Sequence, residues 1–420
     1  MSGSQSTAPA KPRKINLRTP DVMAKVQEQV ESHYRSTITE RIRAGGGTLQ
    51  VRDTTVLLAK QFGFCYGVER AIDLAYAARK VFFDRRLFIL GEIIHNPLVN
   101  EQIATMGIKN LIGKNREANI EDLTSEDVVI VPAFGTDLET LAKINERGCQ
   151  IVDTTCGDVM SVWKRVRQNA MESVTSIIHG KAQHEETKAT ASRALGSGYG
   201  HYLVVLTLAD TDYVCNYIRH GGNKDELLER FKDAHSPGFD PELHLKAVGV
   251  ANQTTMLRGE TEEVQRRIRT AIMDRDGPIE GLKNFRFFDT ICGATQERQE
   301  ALRELLNVRM DLLLVVGGYN SSNTSHLAEM GEAQLPTYFI RGADKLESTT
   351  KITHFNLHKN AEIMTTNWLP SGPLVIGITA GASCPNNLIE ETILRVYELR
   401  GVPPAEILEV SAQLANGRSS

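Results

Sequence analysis

Asp153-Thr154-Thr155-Cys156-Gly157 ends a short apolar run, Gln150–Val152, and opens a stretch in which Val159, Val162, Trp163 and Val166 recur at helical spacing. Asp289-Thr290-Ile291-Cys292-Gly293 repeats it almost letter for letter. A looser relative, Phe62-Gly63-Phe64-Cys65-Tyr66-Gly67, precedes Val68, Ile72 and Ala75, again one face of a helix. Three strand–turn–helix units with a cysteine at the turn predict an α/β fold. They also point to one object shared by the three cysteines.

The rest of the chain keeps this rhythm. Val56–Lys60 reads as a first strand. Leu87–Leu90 runs into Gly91-Glu-Ile-Ile-His95-Asn96, and Val128–Val131 into Pro132-Ala-Phe134-Gly135. Val174–Ile178 runs into His179-Gly180 and then His184-Glu185-Glu186-Thr187. Leu245–Val250 delivers Gln253-Thr254-Thr255, Leu312–Val316 delivers Asn320-Ser321-Ser322-Asn323, and Leu374–Ile378 delivers Thr379-Ala-Gly381-Ala-Ser383. Short β-rich runs alternating with helical stretches predict βα units and parallel sheets, whose functional residues gather where strands end and helices begin.

The cysteine segments recur at about the spacing of a small domain. They divide the chain into three related α/β units with their strand ends facing a common centre in pseudo-threefold arrangement: 53–152 with Cys65, 153–288 with Cys156, and 289–400 with Cys292. Residues 1–20 read as disordered, and Asp21 as the cap of one helix from Val22 to Ile42, which makes 1–52 an appendage. Residues 219–244 read as a surface insertion and 401–420 as a tail. A long charged helix is expected from Glu260 to Arg275.

Composition narrows the partners. Charged residues are 24% and hydrophobic ones 41% of the 420, ordinary for a soluble globular protein. A net charge of -4 argues against nucleic acid or an anionic membrane as the main partner. The longest apolar runs fall far short of the roughly 20 residues that span a bilayer. Six cysteines are too sparse for a disulfide scaffold, which favours a reducing compartment. The first residues hold Lys11, Arg13, Lys14 and Arg18 without an acid, a pattern shared by bacterial tails and organelle transit segments. The expected location is the bacterial cytoplasm, with the plastid as the alternative.

A cysteine at a helix N-terminus is expected to be acidic, because unpaired backbone N–H groups favour the thiolate that binds metal. Buried structural cysteines are the plain alternative, and Cys149, Cys215 and Cys384, which lack the shared context, are read that way. Zinc sites show local C-x₂-C or H-x₃-H pairs, and ferredoxin-type spacing is also missing. Three widely spaced thiolates suit an iron–sulfur cluster with one open iron, and an open iron implies a substrate ligand. Asn320-Ser321-Ser322-Asn323 and Ala382-Ser383, after glycine-containing turns, make an anion cradle together with His95 and His184, of the kind that takes a phosphate or diphosphate. N-capping is the competing explanation for the serines and asparagine. His184-Glu185-Glu186-Thr187 places a carboxylate beside an anion ligand. A glutamate near a metal-bound hydroxyl delivers protons there, with hydroxyls of the Gln253-Thr254-Thr255 segment in the relay; helix capping is the competing explanation.

These motifs come in a familiar order. Gly63-Phe-Cys-Tyr-Gly-Val-Glu-Arg-Ala-Ile72, Ile94-His-Asn96, Thr155-Cys156, His184-Glu-Glu186, Gln253-Thr-Thr255, Cys292-Gly-Ala-Thr295, Asn320-Ser-Ser-Asn323 and Thr379-Ala-Gly-Ala-Ser383 resemble the IspH/LytB family of 4-hydroxy-3-methylbut-2-enyl diphosphate reductases, over roughly residues 55–400. The resemblance implies a central 4Fe–4S cluster held by Cys65, Cys156 and Cys292, whose fourth iron is open to the substrate hydroxyl. It implies reductive dehydroxylation, the last step of the non-mevalonate isoprenoid pathway, with a ferredoxin or flavodoxin as electron donor. By position Glu186 is the proton-delivering acid with Thr254 in its relay. His95, His184, Ser321, Ser322, Asn323 and Ser383 are diphosphate or substrate contacts, and Thr295 lies in the same pocket. Three features depart from the common bacterial pattern and match the longer plant and cyanobacterial branch: Phe134 where the family has a histidine, Glu185 where it has a proline, and the extra N-terminal and 340–370 segments. Two other readings stand beside this one: a non-redox diphosphate transferase or hydrolase with structural cysteines, and a non-catalytic iron–sulfur sensor.

Overall fold

The structure is a computed structural model describing residues 17–416 apart from Ser197, Tyr199 and Asp289. Most of the expected disordered N-terminus, the end of the tail and the aspartate of the second cysteine motif therefore lie outside the described residues.

Three sheets carry the chain, and each contains four parallel strands in the same spatial order. In the first the order is Ile108–Asn110, Leu87–Ile89, Val128–Val131, Gln150–Asp153. In the second it is Tyr202–Val205, Thr175–His179, Val248–Asn252, Phe285–Phe287. The third runs Thr337–Ile340, Leu312–Val316, Leu374–Ala380, Thr54–Leu58. Counted along each unit, the order is second, first, third, fourth, so the connections diverge between the first and third strands. That divergence opens a crevice at the carboxyl ends of the strands. Central strands such as Val128–Val131, Val248–Asn252 and Leu312–Val316 are buried along their whole length, as covered parallel sheets require.

The third unit closes in a way the contiguous division did not anticipate. Its fourth strand, Thr54–Leu58, pairs in parallel with Leu374–Ala380, more than 300 positions later. The expected unit 53–152 therefore loses its first strand to the sheet that follows Cys292. Sequence proximity suggested otherwise, but Val56 and Leu58 find their apolar partners in Ile376, Ile378 and Leu314. The strand also begins at Thr54, not Val56, and is preceded by an antiparallel partner, Thr48–Val51.

The N-terminal appendage is likewise part of the body. Its expected single helix is two, Pro20–Tyr34 and Thr37–Ala44, because Arg35 and Ser36 are extended and the Ser36 hydroxyl caps the second. Ile38 and Ile42 enter the core of the third unit together with Ile407 from the helix Pro404–Asn416, so the C-terminal tail is also packed structure. The first helix lies on the first unit, where Leu17, Val26 and Tyr34 are buried and the Tyr34 ring meets Phe64 edge-on at 5.5 Å.

The segment 219–244 is not a mere surface insertion. Leu227, Phe231 and Phe239 are buried in the core of the second unit, beside the short helices Lys224–Arg230 and Pro241–His244. The 340–370 segment forms the antiparallel strands Lys351–Asn356 and Ala361–Thr366, which widen the third sheet to seven. The charged helix runs over Arg258–Asn284 with a break at Gly277, whose φ of 77° leaves the helical region.

Candidate functional site

The threefold order brings equivalent turns to one place. The turn after each fourth strand ends in a cysteine, and all three cysteines are extended N-caps: Cys65 of Tyr66–Val81, Cys156 of Gly157–Met171, Cys292 of Gly293–Leu306. Each cysteine N–H donates to the turn after the third strand of its own sheet, at Ala382 O (3.2 Å), Ala133 O (2.8 Å) and Thr254 O (3.3 Å). Each helix then packs in the next unit: the helix after Cys65 in the first, that after Cys156 against the second sheet, that after Cys292 in the third. The cysteines thus mark the crossings between units. Their spacing in sequence is the length of one unit for that reason.

The other turns follow the same rule. First-strand turns supply His95, His184 with Glu186, and Ser321–Asn323, whereas third-strand turns supply Phe134, Thr254 and Ser383. Together with Thr295 and the three cysteines, these residues line one cavity of about 520 Å³. Every site residue expected from the sequence faces it.

Three sulfurs converge on the cavity floor. A Cβ added at Gly67 would stand 2.6 Å from Cys156 Sγ and 3.9 Å from Cys65 Sγ, so only glycine fits between them. The Thr295 hydroxyl lies 2.9 Å from Cys292 Sγ, and the Thr295 N–H donates to the same sulfur at 3.3 Å. The expected acidification is reversed at Cys156 and Cys292. Burial pushes Cys292 up to about 12 and also raises Cys156, and this outweighs the helix N-termini. A cationic group is needed to keep such thiols ionised. Among the described residues, the ligand atoms of His95, His184 and Glu185 lie within 4.8 Å of one another.

Glu186 is 3% exposed, and its Oε1 accepts the Thr254 N–H at 2.6 Å. Burial raises its carboxyl to about 7, with the nearby Asp158 adding to the rise and the Thr254 contact opposing it. It is a carboxylic acid poised near neutrality. Glu185, by contrast, is exposed over 56% of its side chain, and its Oε2 stands 4.0 Å from His95 Nε2, so burial separates the two adjacent glutamates.

The polar wall opposite is short of partners. His184 Nδ1 accepts the Glu186 N–H at 3.2 Å, and burial holds this histidine neutral, which puts its proton on Nε2. His184 Nε2, Ser322 Oγ and Asn323 Nδ2 are buried without a hydrogen-bond partner, and His95 Nε2 has only the Glu185 carboxylate at 4.0 Å. Unpaired groups of this kind cost free energy unless a ligand satisfies them, and a polyanion does so. Ser383 Oγ donates to His95 O at 3.1 Å and lies 3.4 Å from Ser321 Oγ, which ties the first unit to the third. Ser321 caps its helix, as the plain alternative predicted, while Ser322 and Asn323 stay available. Phe134 stacks on the His95 ring at 4.6 Å and 5°, filling the place of a donor with a positioning contact.

Gly67 and the braces of His95 escaped the sequence reading. The His95 Nδ1–H donates to Glu92 Oε2 at 3.2 Å, and Asn320 Nδ2 donates to the same oxygen at 2.6 Å. Gly67 was legible as the second glycine of the Cys65 motif, but its neighbour across the unit boundary was not.

An α/β protein with three cysteines and unpaired polar groups lining one cavity is of the class built to hold a metal centre beside an anionic ligand. The family model described as LytB protein matches residues 56–397, and the chain belongs to that family. It is 47% identical over 384 residues to the 4-hydroxy-3-methylbut-2-enyl diphosphate reductase of Gloeobacter violaceus, covering 90% of this chain and 91% of the relative. Identity to the enzyme of the same name from Thermosynechococcus vestitus is 46% over 378 residues, 90% and 92% of the two chains. A solved (E)-4-hydroxy-3-methyl-but-2-enyl diphosphate reductase, the terminal enzyme of the non-mevalonate pathway, superposes with a TM-score of 0.50 at 25% identity, over 82% of this chain and 99% of the other. The Plasmodium falciparum E-1-hydroxy-2-methyl-but-2-enyl-4-diphosphate reductase shares the fold, with a TM-score of 0.60 at 20% identity over 84% and 89%.

Proposed function

We propose that the chain is a 4-hydroxy-3-methylbut-2-enyl diphosphate reductase, which uses two electrons and two protons to release the allylic hydroxyl as water and give isopentenyl and dimethylallyl diphosphate. The observation that carries this reading is the meeting of three cysteine N-caps, a carboxylic acid near neutrality and unpartnered phosphate donors in one cavity. We assign Cys65, Cys156 and Cys292 to a 4Fe–4S cluster with its fourth iron open. When bound, that cluster supplies electrons and a Lewis-acidic iron.

The chain's own residues do the rest. His95, His184, Ser321, Ser322, Asn323 and Ser383 bind and orient the diphosphate, and this fixes the allylic end over the sulfur floor. Thr295 holds the Cys292 sulfur from its hydroxyl side. Glu186 gives its proton to the departing hydroxyl, and the Thr254 N–H keeps the carboxyl aimed. A ferredoxin or flavodoxin delivers the electrons. No helix among the described residues is long and apolar enough to cross a membrane.

Anaerobic purification tests the reading. The expected product binds iron and sulfide and consumes the allylic diphosphate when given a chemical reductant. A metal-free preparation with full activity would favour the non-redox transferase or hydrolase. A cluster-bearing protein inert toward the substrate would leave only the sensor.

A further inference from the structure

The three cysteine turns are joined by a ring of arginines, each on the helix that follows one cysteine and each reaching the turn that precedes another. Arg70, on the helix after Cys65, donates from Nη1 to Thr154 O at 3.2 Å and Thr155 O at 3.1 Å, the carbonyls just before Cys156. Arg165, on the helix after Cys156, lies with its guanidinium carbon 4.4 Å from the centre of the Phe288 ring, shortly before Cys292. Arg298, on the helix after Cys292, donates from Nη2 to Gly63 O at 2.6 Å, two residues before Cys65. The ring is closed in the same sense as the units: 65 to 156, 156 to 292, 292 to 65.

The three links are not equivalent. Arg165 is exposed and Arg70 half-buried, but Arg298 is 3% exposed and lines the cavity. Its hydrogen bonds go to the neutral carbonyls Gly63 O and Ala294 O, the latter at 2.9 Å, and its Nε has no partner. A buried guanidinium stays charged, and leaving it without a hydrogen-bonded carboxylate is costly. Gly63 O lies two residues before Cys65 and Ala294 O two after Cys292, which leaves the group that these cysteines hold as its counter-charge.

Resting on the cluster reading above, we infer that Arg298 is a positioning residue with two effects: it clamps the Cys65 turn to the Cys292 helix, and its fixed charge raises the reduction potential of the group the cysteines hold. Reduction adds one negative charge to that group, and a cation in a low-dielectric wall favours the reduced state. Glu69, close enough to Arg298 to act on it, opposes this effect.

The test is the midpoint potential of the intact holoenzyme at pH 8, by spectroscopic or EPR-monitored redox titration, with iron and sulfide determined on each sample. Arg298→Gln should titrate at a more negative potential than the parent, Arg298→Lys at the parental one, and Glu69→Gln at a more positive one. An Arg298→Gln potential equal to the parent's, or an Arg298→Lys shift as large as the glutamine shift, overturns the inference. If Arg298→Gln does not retain its cluster, Arg298→Lys decides: a parental potential at full iron content supports the fixed charge, and a more negative one overturns it. A parent that itself lacks iron and sulfide refutes the cluster reading instead, so the two failures are distinguishable.

Discussion

Replacing Glu186 by Gln should damage catalysis and strengthen the fold at the same time, and the second effect depends on pH. The carboxyl titrates at about 7 in the folded chain against an ordinary 4.5, chiefly because it is buried. Each pH step between those values carries about 1.4 kcal/mol, so the full cost of keeping the ionised form buried is roughly 3 kcal/mol above pH 7. The sign follows from proton binding: between 4.5 and 7 the folded state holds more protons than the unfolded one, so stability is greatest below 4.5 and declines as pH rises through 7. Gln keeps the shape and the acceptor for the Thr254 N–H but never ionises. Its stability advantage over the parent should therefore widen from about 1 kcal/mol at pH 5 to about 3 kcal/mol at pH 8. Urea titration of the metal-free parent and variant at the two pH values reads that difference directly. Turnover of the loaded variant should fall by about 10²–10⁴, the usual worth of a positioned general acid, with substrate binding retained. A stability difference that is flat from pH 5 to pH 8 refutes the burial argument. Retained turnover, paired with loss in Glu185→Gln, would move the acid to the exposed neighbour.

The remaining expectations concern the floor and wall of the cavity. Serine at Cys65, Cys156 or Cys292 should abolish iron and sulfide binding, whereas Cys149→Ser should leave them intact; equal effects would undo the ligand assignment. Gly67→Ala puts a methyl 2.6 Å from Cys156 Sγ, so iron content should drop sharply while the circular dichroism stays native, and a fully loaded alanine variant would contradict that packing. Phe134→Ala removes the ring stacked on His95, a contact worth about 0.5–1.5 kcal/mol, and should raise KM by roughly 2- to 12-fold with little change in kcat. An unchanged KM would make the stack incidental.

Much of this protein is legible one residue at a time. Extended cysteine N-caps, glycine turns and alternating strand and helix patterns are local effects, and local effects are written in short stretches of sequence. Hence the three cysteine motifs, the polar strand ends and the separate His95, His184 and Asn320–Asn323 turns could all be found before any contact was known. The resemblance gave them roles, and every one of those residues does line the cavity.

Only the tertiary structure decided how the pieces close. Thr54–Leu58 reads as the start of the first unit, yet it completes the third sheet, since pairing across the whole chain depends on which apolar faces remain uncovered. The tail at Pro404–Asn416 and the appendage at Thr37–Ala44 pack together for the same reason. Electrostatics are equally non-local: the thiols of Cys156 and Cys292 rise where a helix N-terminus predicts a fall, and Glu186 is separated from Glu185 by burial alone. The repeated Asp153-Thr-Thr-Cys156-Gly segment specifies a cysteine-capped turn. That the turn is a crossing between units, and that three crossings share one floor, depends on desolvation and packing among residues far apart in the chain.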